Sequence, residues 1–129
     1  MHTISTPKAP RPAGHYSQAV VHDGLVYVAG QLPVDPMREE QHPGPIEAQT
    51  RQALANVAAI LTAARSDLNH VLRATVYVSD IASWPQVNAV WAEVFGDHRP
   101  ARAVVPTREL HFGYGIEIEV IAAVTEAQP

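Results

Sequence analysis

The stretch I-E-I-E-V-I-A-A-V, residues 116–124, constrains the fold more than any other. Its first five residues alternate apolar with acidic, and a period of two belongs to a β-strand, whose successive side chains point to opposite faces. One face reads Ile116, Ile118, Val120, Ala122 and Val124. That face needs a cover. The other reads Glu117, Glu119, Ile121 and Ala123. A mixed acidic and apolar face is expected to meet further copies of the chain rather than open solvent.

The cover comes from two segments with a helical period. Leu54, Val57, Ala58, Leu61 and Ala64 recur at three and four, which predicts an amphipathic helix from Ile46 to about Arg65. Pro45 and Glu47 suit its first turn. A second helix is predicted from Ser83, where S-W-P-Q fits a capping box with proline in the first turn. Its buried stripe would be Trp84, Val87, Trp91, Val94 and Phe95, closed by Gly96.

Four more strands complete the sheet. Residues 18–22 and 25–30 flank Asp23-Gly24, a two-residue hairpin turn whose central positions take positive φ. Residues 71–79 alternate, with Leu72, Ala74, Val76 and Val78 expected on one face and Arg73, Thr75 and Tyr77 on the other. Residues 101–105 form a short strand. The first fourteen residues, broken by Pro7, Pro10 and Pro12, are an extended arm. Residues 31–45, with four prolines and Gly44, are a loop. The order ββαβαββ predicts an α+β two-layer sandwich, one domain over residues 1–129, with a frayed C-terminal end.

Composition narrows the function. A 47% hydrophobic, 17% charged chain is that of a globular protein, and no apolar run approaches the roughly 20 residues that span a bilayer. The arm carries Lys8 and Arg11 but no hydrophobic signal segment, so the expected compartment is the cytoplasm. With no cysteine there is no thiolate nucleophile or disulfide. A formal charge of -4 and unclustered basic residues argue against nucleic acid as the main partner. The seven histidines show no metal-ligand spacing, so no metal is expected; His15 and His111 merely adjoin the candidate site segments.

Chemistry is suggested at the C-terminal third. Arg102 opens a short apolar run, and an arginine grips a carboxylate through two parallel hydrogen bonds. On what is expected to be an adjacent strand, Glu117 or Glu119 would move protons on whatever the arginine holds. Those parts suit a small carboxylic acid. On the residues alone, Arg102 serves equally as an ion-pair or interface residue, and both glutamates serve equally as solvated or interface groups.

Six fragments in order resemble the RidA/YjgF family of reactive-intermediate deaminases. They are G-H-Y-S-Q-A-V (14–20), A-G-Q-L-P (29–33), Q-T-R-Q-A-L-A-N-V (49–57), V-N-A-V-W-A-E-V-F (87–95), P-A-R (100–102) and I-E-I-E-V-I-A (116–122). The resemblance implies a chorismate-mutase-like fold, assembled as a homotrimer around a central barrel, with sites between subunits. It implies hydrolysis of 2-imino acids, the tautomers of enamines such as 2-aminoacrylate, to 2-keto acids and ammonia without a cofactor. By position, Arg102 would bind the substrate carboxylate and Glu117 would orient or activate water. Tyr16 and Asn88 would line the cleft, and Gly30 would let the backbone approach the ligand.

Three departures bear on specificity: Ala29, Val104 and His15 stand where the family commonly has serine, cysteine and proline. They leave open a catabolic relative acting on a substrate such as 2-aminomuconate. Two further alternatives are a trimer that binds keto acids without turnover, and an endoribonuclease or translation inhibitor.

Overall fold

The computed structural model describes residues 1–125; the end expected to fray lies largely in 126–129, outside them. A single six-stranded sheet is built from β1 (His2–Ile4), β2 (Ala19–His22), β3 (Leu25–Gln31), β4 (Val71–Val78), β5 (Ala101–Pro106) and β6 (Ile116–Ala123). Two helices, α1 (Ile46–Ala63) and α2 (Trp84–Phe95), cover one face. The two-layer α+β expectation therefore holds. The strand order is β1-β2-β3-β6-β4-β5, antiparallel except where β4 and β5 run parallel. That parallel pair is joined through α2, because two parallel strands require a crossover.

The core is the alternation of β6 carried inward. Ile116, Ile118, Val120 and Ala122 are buried under the helices, with Ala74, Val76 and Val78 of β4 opposite them. Leu54, Val57, Ile60 and Leu61 of α1 and Val87, Val90 and Trp91 of α2 close over that layer. The hairpin turn falls where expected, with Asp23 and Gly24 both at positive φ. The helix α1 stops short of Arg65, which itself adopts a left-handed φ of 60° and turns the chain away.

Four readings need correction. The arm is extended, but its first residues pair with β2 as a sixth strand. Leu72 is 50% exposed, and Val71 is buried in its place. A bulge between Val71 and Arg73 inserts one residue against β6 and shifts the alternation by one. Ser83 does not cap α2. Asp80 instead accepts a hydrogen bond from Ala82 N at 2.9 Å, capping a short turn, Ile81–Ser83, that leads into the helix. Trp84 is not core: it is 41% exposed, and Val90 fills the interior position.

Buried polar side chains tie down the loops. Asn56, on α1, donates to Leu32 O and Val34 O at 3.0 and 2.8 Å. Gln49 donates to Gly44 O and accepts from Gly115 N, both within 2.9 Å. Gln18, on the segment entering β2, accepts from Thr6 N at 2.7 Å and donates to Thr6 O, Ala9 O and Pro10 O. One buried amide thus holds the arm against the sheet, in place of the regular ladder its prolines cannot make.

Candidate functional site

Glu117 lies on the sheet face away from the helices, opposite Tyr77 of β4. It stands beside a second bulge, in β3 between Val28 and Gln31, where one extra residue is accommodated at Ala29-Gly30. A β-carbon on Gly30 would lie 2.7 Å from Glu117 Oε2 and 3.0 Å from its Cδ. Gly30 leaves the space that the end of the glutamate side chain occupies, and any larger residue there would make Glu117 shift.

The carboxylate opens into a cleft of about 440 Å³, whose walls include Arg11, Tyr16, Gln18, Gly30, His111 and Phe112. Burial raises the Glu117 pKa, Glu119 raises it further, and His111 pulls it back. The neighbouring Glu119 accepts a 2.6 Å hydrogen bond from Tyr77 OH, and this bond chiefly raises the tyrosine's own pKa. Of the two acids on this face, Glu119 is engaged and Glu117 is the one lining the cleft. Tyr16 is 52% exposed at the rim, its hydroxyl accepting from Ala13 N at 3.2 Å.

Arg102 lies elsewhere. On β5 it stands in register with Ala74, a buried residue on the helix-covered face. Its guanidinium carbon is 5.4 Å from the centroid of the Trp91 ring and 5.9 Å from that of Trp84. Burial lowers its pKa, but an arginine stays charged. Among the described residues no carboxylate comes within ion-pair distance of it. The aromatic faces hold this cation without neutralising it. It opens into a second cleft of about 520 Å³, shared with Asn88, Trp91, Phe95 and His98.

The expected site thus comes apart into two. Tyr16, Gly30 and Glu117 are together; Asn88 and Arg102 are together; the groups do not meet within the chain. The strands of Arg102 and Glu117 are not adjacent, since β4 runs between them. Their registers differ by three residues along β4, so the two positions are about 10 Å apart across the sheet and about 10 Å apart along it. They also point to opposite faces. A single small acid cannot span that separation inside one chain.

The three departures are placed as follows. Ala29 lines the Glu117 cleft. Val104 packs against the core two residues from Arg102. His15 is exposed and lines neither cleft. The cleft walls contain groups that sequence patterning passed over. Phe112 is exposed at a φ of 62° beside Gly113, and an aromatic next to glycine in the loop before β6 was the available signal. Gln18 was detectable as a polar residue at the mouth of an apolar strand.

Residues 6–124 match the family model described as Endoribonuclease L-PSP. The chain belongs to the RidA/YjgF family. It is 45% identical over 119 residues to a RutC family protein of Pyrococcus horikoshii, covering 92% of this chain and 94% of that one. Over 119 residues it is 43% identical to the 2-iminobutanoate/2-iminopropanoate deaminase of Bos taurus, covering 92% and 87%. The crystal structure of Escherichia coli TdcF with bound serine superposes with a TM-score of 0.90 at 32% identity, covering 95% of this chain and 98% of that one.

Proposed function

We propose that the protein hydrolyses 2-imino acids to 2-keto acids and ammonia, in sites where the Glu117 cleft of one subunit closes against the Arg102 cleft of the next. The observation that carries this reading is the separation itself. One half offers an unneutralised arginine and the other a half-buried acid, and each half opens outward. A ring of three copies is the simplest closed arrangement in which two different patches meet head to tail, and the uncovered sheet face supports it. The bovine relative's name supports the reaction, and serine in the TdcF crystal supports a small amino-acid-like ligand.

The chemistry asked of the site is modest. Arg102 takes the substrate carboxylate in a bidentate grip and fixes the imine carbon in front of Glu117. The Glu117 carboxylate accepts a proton from water as the water oxygen bonds to that carbon and the C=N π electrons move to nitrogen. Proton return to nitrogen from the Glu117 carboxyl group gives the carbinolamine; Glu117 then takes the hydroxyl proton and passes it to the amino nitrogen as the C–N bond breaks. Ammonia leaves, and the former water oxygen becomes the keto oxygen. Such general acid–base assistance is worth about 10²–10⁴-fold.

The test generates imines in situ from several amino acids with an amino-acid oxidase while semicarbazide competes for them. The wild type should lower adduct formation, and Glu117→Gln should abolish about 10²–10⁴-fold of the acceleration. Co-refolding inactive Arg102→Ala with inactive Glu117→Gln should recover about a quarter of wild-type sites, because mixed rings rebuild intact Arg–Glu pairs. No recovery overturns the shared site. A folded protein inert toward every imine, or one that cleaves RNA instead, overturns the reaction.

A further inference from the structure

Arg11 is the one arginine lining the Glu117 cleft among the described residues; it also borders the adjoining groove with Asp35 and Arg38, and neither the fold nor the proposed reaction uses it. It is not a loose surface arginine on a mobile chain. Prolines precede and follow it, fixing φ at both neighbours. On its N-terminal side the backbone is pinned by Gln18, whose amide donates to Ala9 O at 3.4 Å and to Pro10 O at 3.0 Å. Gln18 is itself buried and adjoins β2, so the backbone carrying the exposed Arg11 is fixed to the sheet. Among the described residues no carboxylate lies within ion-pair distance of Arg11, although Asp35 of the neighbouring loop is already paired with Arg38 at 3.6 Å.

Before the neighbouring subunit closes on it, the cleft has room beyond a short substrate. At roughly 30 Å³ per heavy atom, the share of liquid volume a water takes, a three-carbon imino acid fills less than half of its 440 Å³. The walls around that space include Arg11, His111 and Phe112. If the first carboxylate goes to Arg102, a longer side chain extends into a region holding an uncommitted guanidinium. An apolar side chain there would desolvate that cation without replacing its water; a carboxylate would pair with it.

Building on the imine-hydrolase reading, we propose that Arg11 is a specificity residue that selects 2-imino acids carrying a second carboxylate on the side chain. The decisive comparison is between two substrates of nearly equal shape and different charge, the imines generated from glutamate and from glutamine. Wild-type kcat/KM should favour the glutamate imine by about tenfold, as expected for a partly solvated charge-assisted hydrogen bond. Most of the preference should appear in KM. It should shrink in 0.5 M salt, where the Debye length is only a few ångströms. In Arg11→Met, which keeps the stem and removes the charge, the ratio should fall toward one, and Arg11→Lys should restore part of it.

A wild-type ratio near one, or an undiminished ratio in Arg11→Met, overturns the inference while leaving imine hydrolysis standing. Titration calorimetry of the unmodified protein with 2-oxoglutarate and with 2-oxobutanoate gives a reading independent of turnover. Tighter binding of the dicarboxylate, lost in Arg11→Met, supports the inference even if no imine is hydrolysed. Equal binding, or a preference that survives the substitution, overturns it.

Discussion

The two clefts solve opposite problems with different materials. The Glu117 cleft holds an acid, and backbone irregularity builds it: a bulge, a glycine with no room for a β-carbon, and a proline-rich arm hung on one glutamine. The Arg102 cleft holds a cation, and regular structure builds it: a β5 residue in plain register with β4, facing aromatics seven positions apart on a helix. Regular elements place a group by period, whereas irregular ones place it by exclusion. The first depends on rings that fill volume, and the second on how little room is left beside one side chain.

Substitutions sharpen that contrast, and the largest effect is expected on stability at the regular end. Trp91→Ala removes a buried ring that packs against Phe95 at 4.8 Å and carries Arg102. It should cost about 3 kcal/mol in denaturant unfolding, with activity reduced as well. Trp84→Ala, at an exposed ring, should leave stability within about 0.5 kcal/mol and weaken carboxylate binding several-fold. If the two variants are equally destabilised, the aromatic shelf is ordinary core packing.

At the irregular end the order reverses. Gly30→Ala should lower kcat/KM about 10²-fold by driving Glu117 off its position, while the melting temperature moves only a few degrees. Wild-type activity in that variant would mean that Glu117 relocates without consequence. Gln18→Ala leaves three carbonyls and one N–H of the arm without their partner and should cost about 1–3 kcal/mol. Limited proteolysis should then cut first within the arm.

The smallest effect concerns charge. Burial raises the folded pKa of Glu117 above its value in the unfolded chain. Its contribution to stability is therefore fully present below the unfolded value, near 4.3, and is lost as pH rises through the folded one. Glu117→Gln should stabilise the protein at neutral pH by roughly one to three degrees, since solvent screens part of the penalty, and the gain should vanish in acid. Activity should run the other way, falling as pH drops through the raised pKa. A pH profile that breaks at the ordinary glutamate value would remove burial from the account.

Much of this was legible in the residues. The alternation of β6 identified both its buried face and the face bearing Glu117, and Asp23-Gly24 located the hairpin. Reading failed where one residue's worth of geometry was hidden. A bulge at Leu72 is invisible to an alternation count, because the pattern remains apolar on both sides of the slip. Trp84 has the period of a core residue, yet helix spacing does not say how far the covered stripe extends beyond the edge strand. Arg102 and Glu117 looked like neighbours because their segments follow each other in the chain. Strand order, with β4 inserted between β5 and β6, is a property of the crossover and not of either segment.

The contact between Gly30 and Glu117 also limits how this chain can vary. The two positions share one volume, so neither can be altered as though the other were fixed. A methyl at 30 requires the glutamate at 117 to take another rotamer, or a shorter acid such as aspartate, which would draw the carboxylate back from the cleft by about one methylene. Substitutions at these two sites should therefore be tolerated in pairs more readily than singly, and any change in the reach of the acid must pass through the glycine facing it.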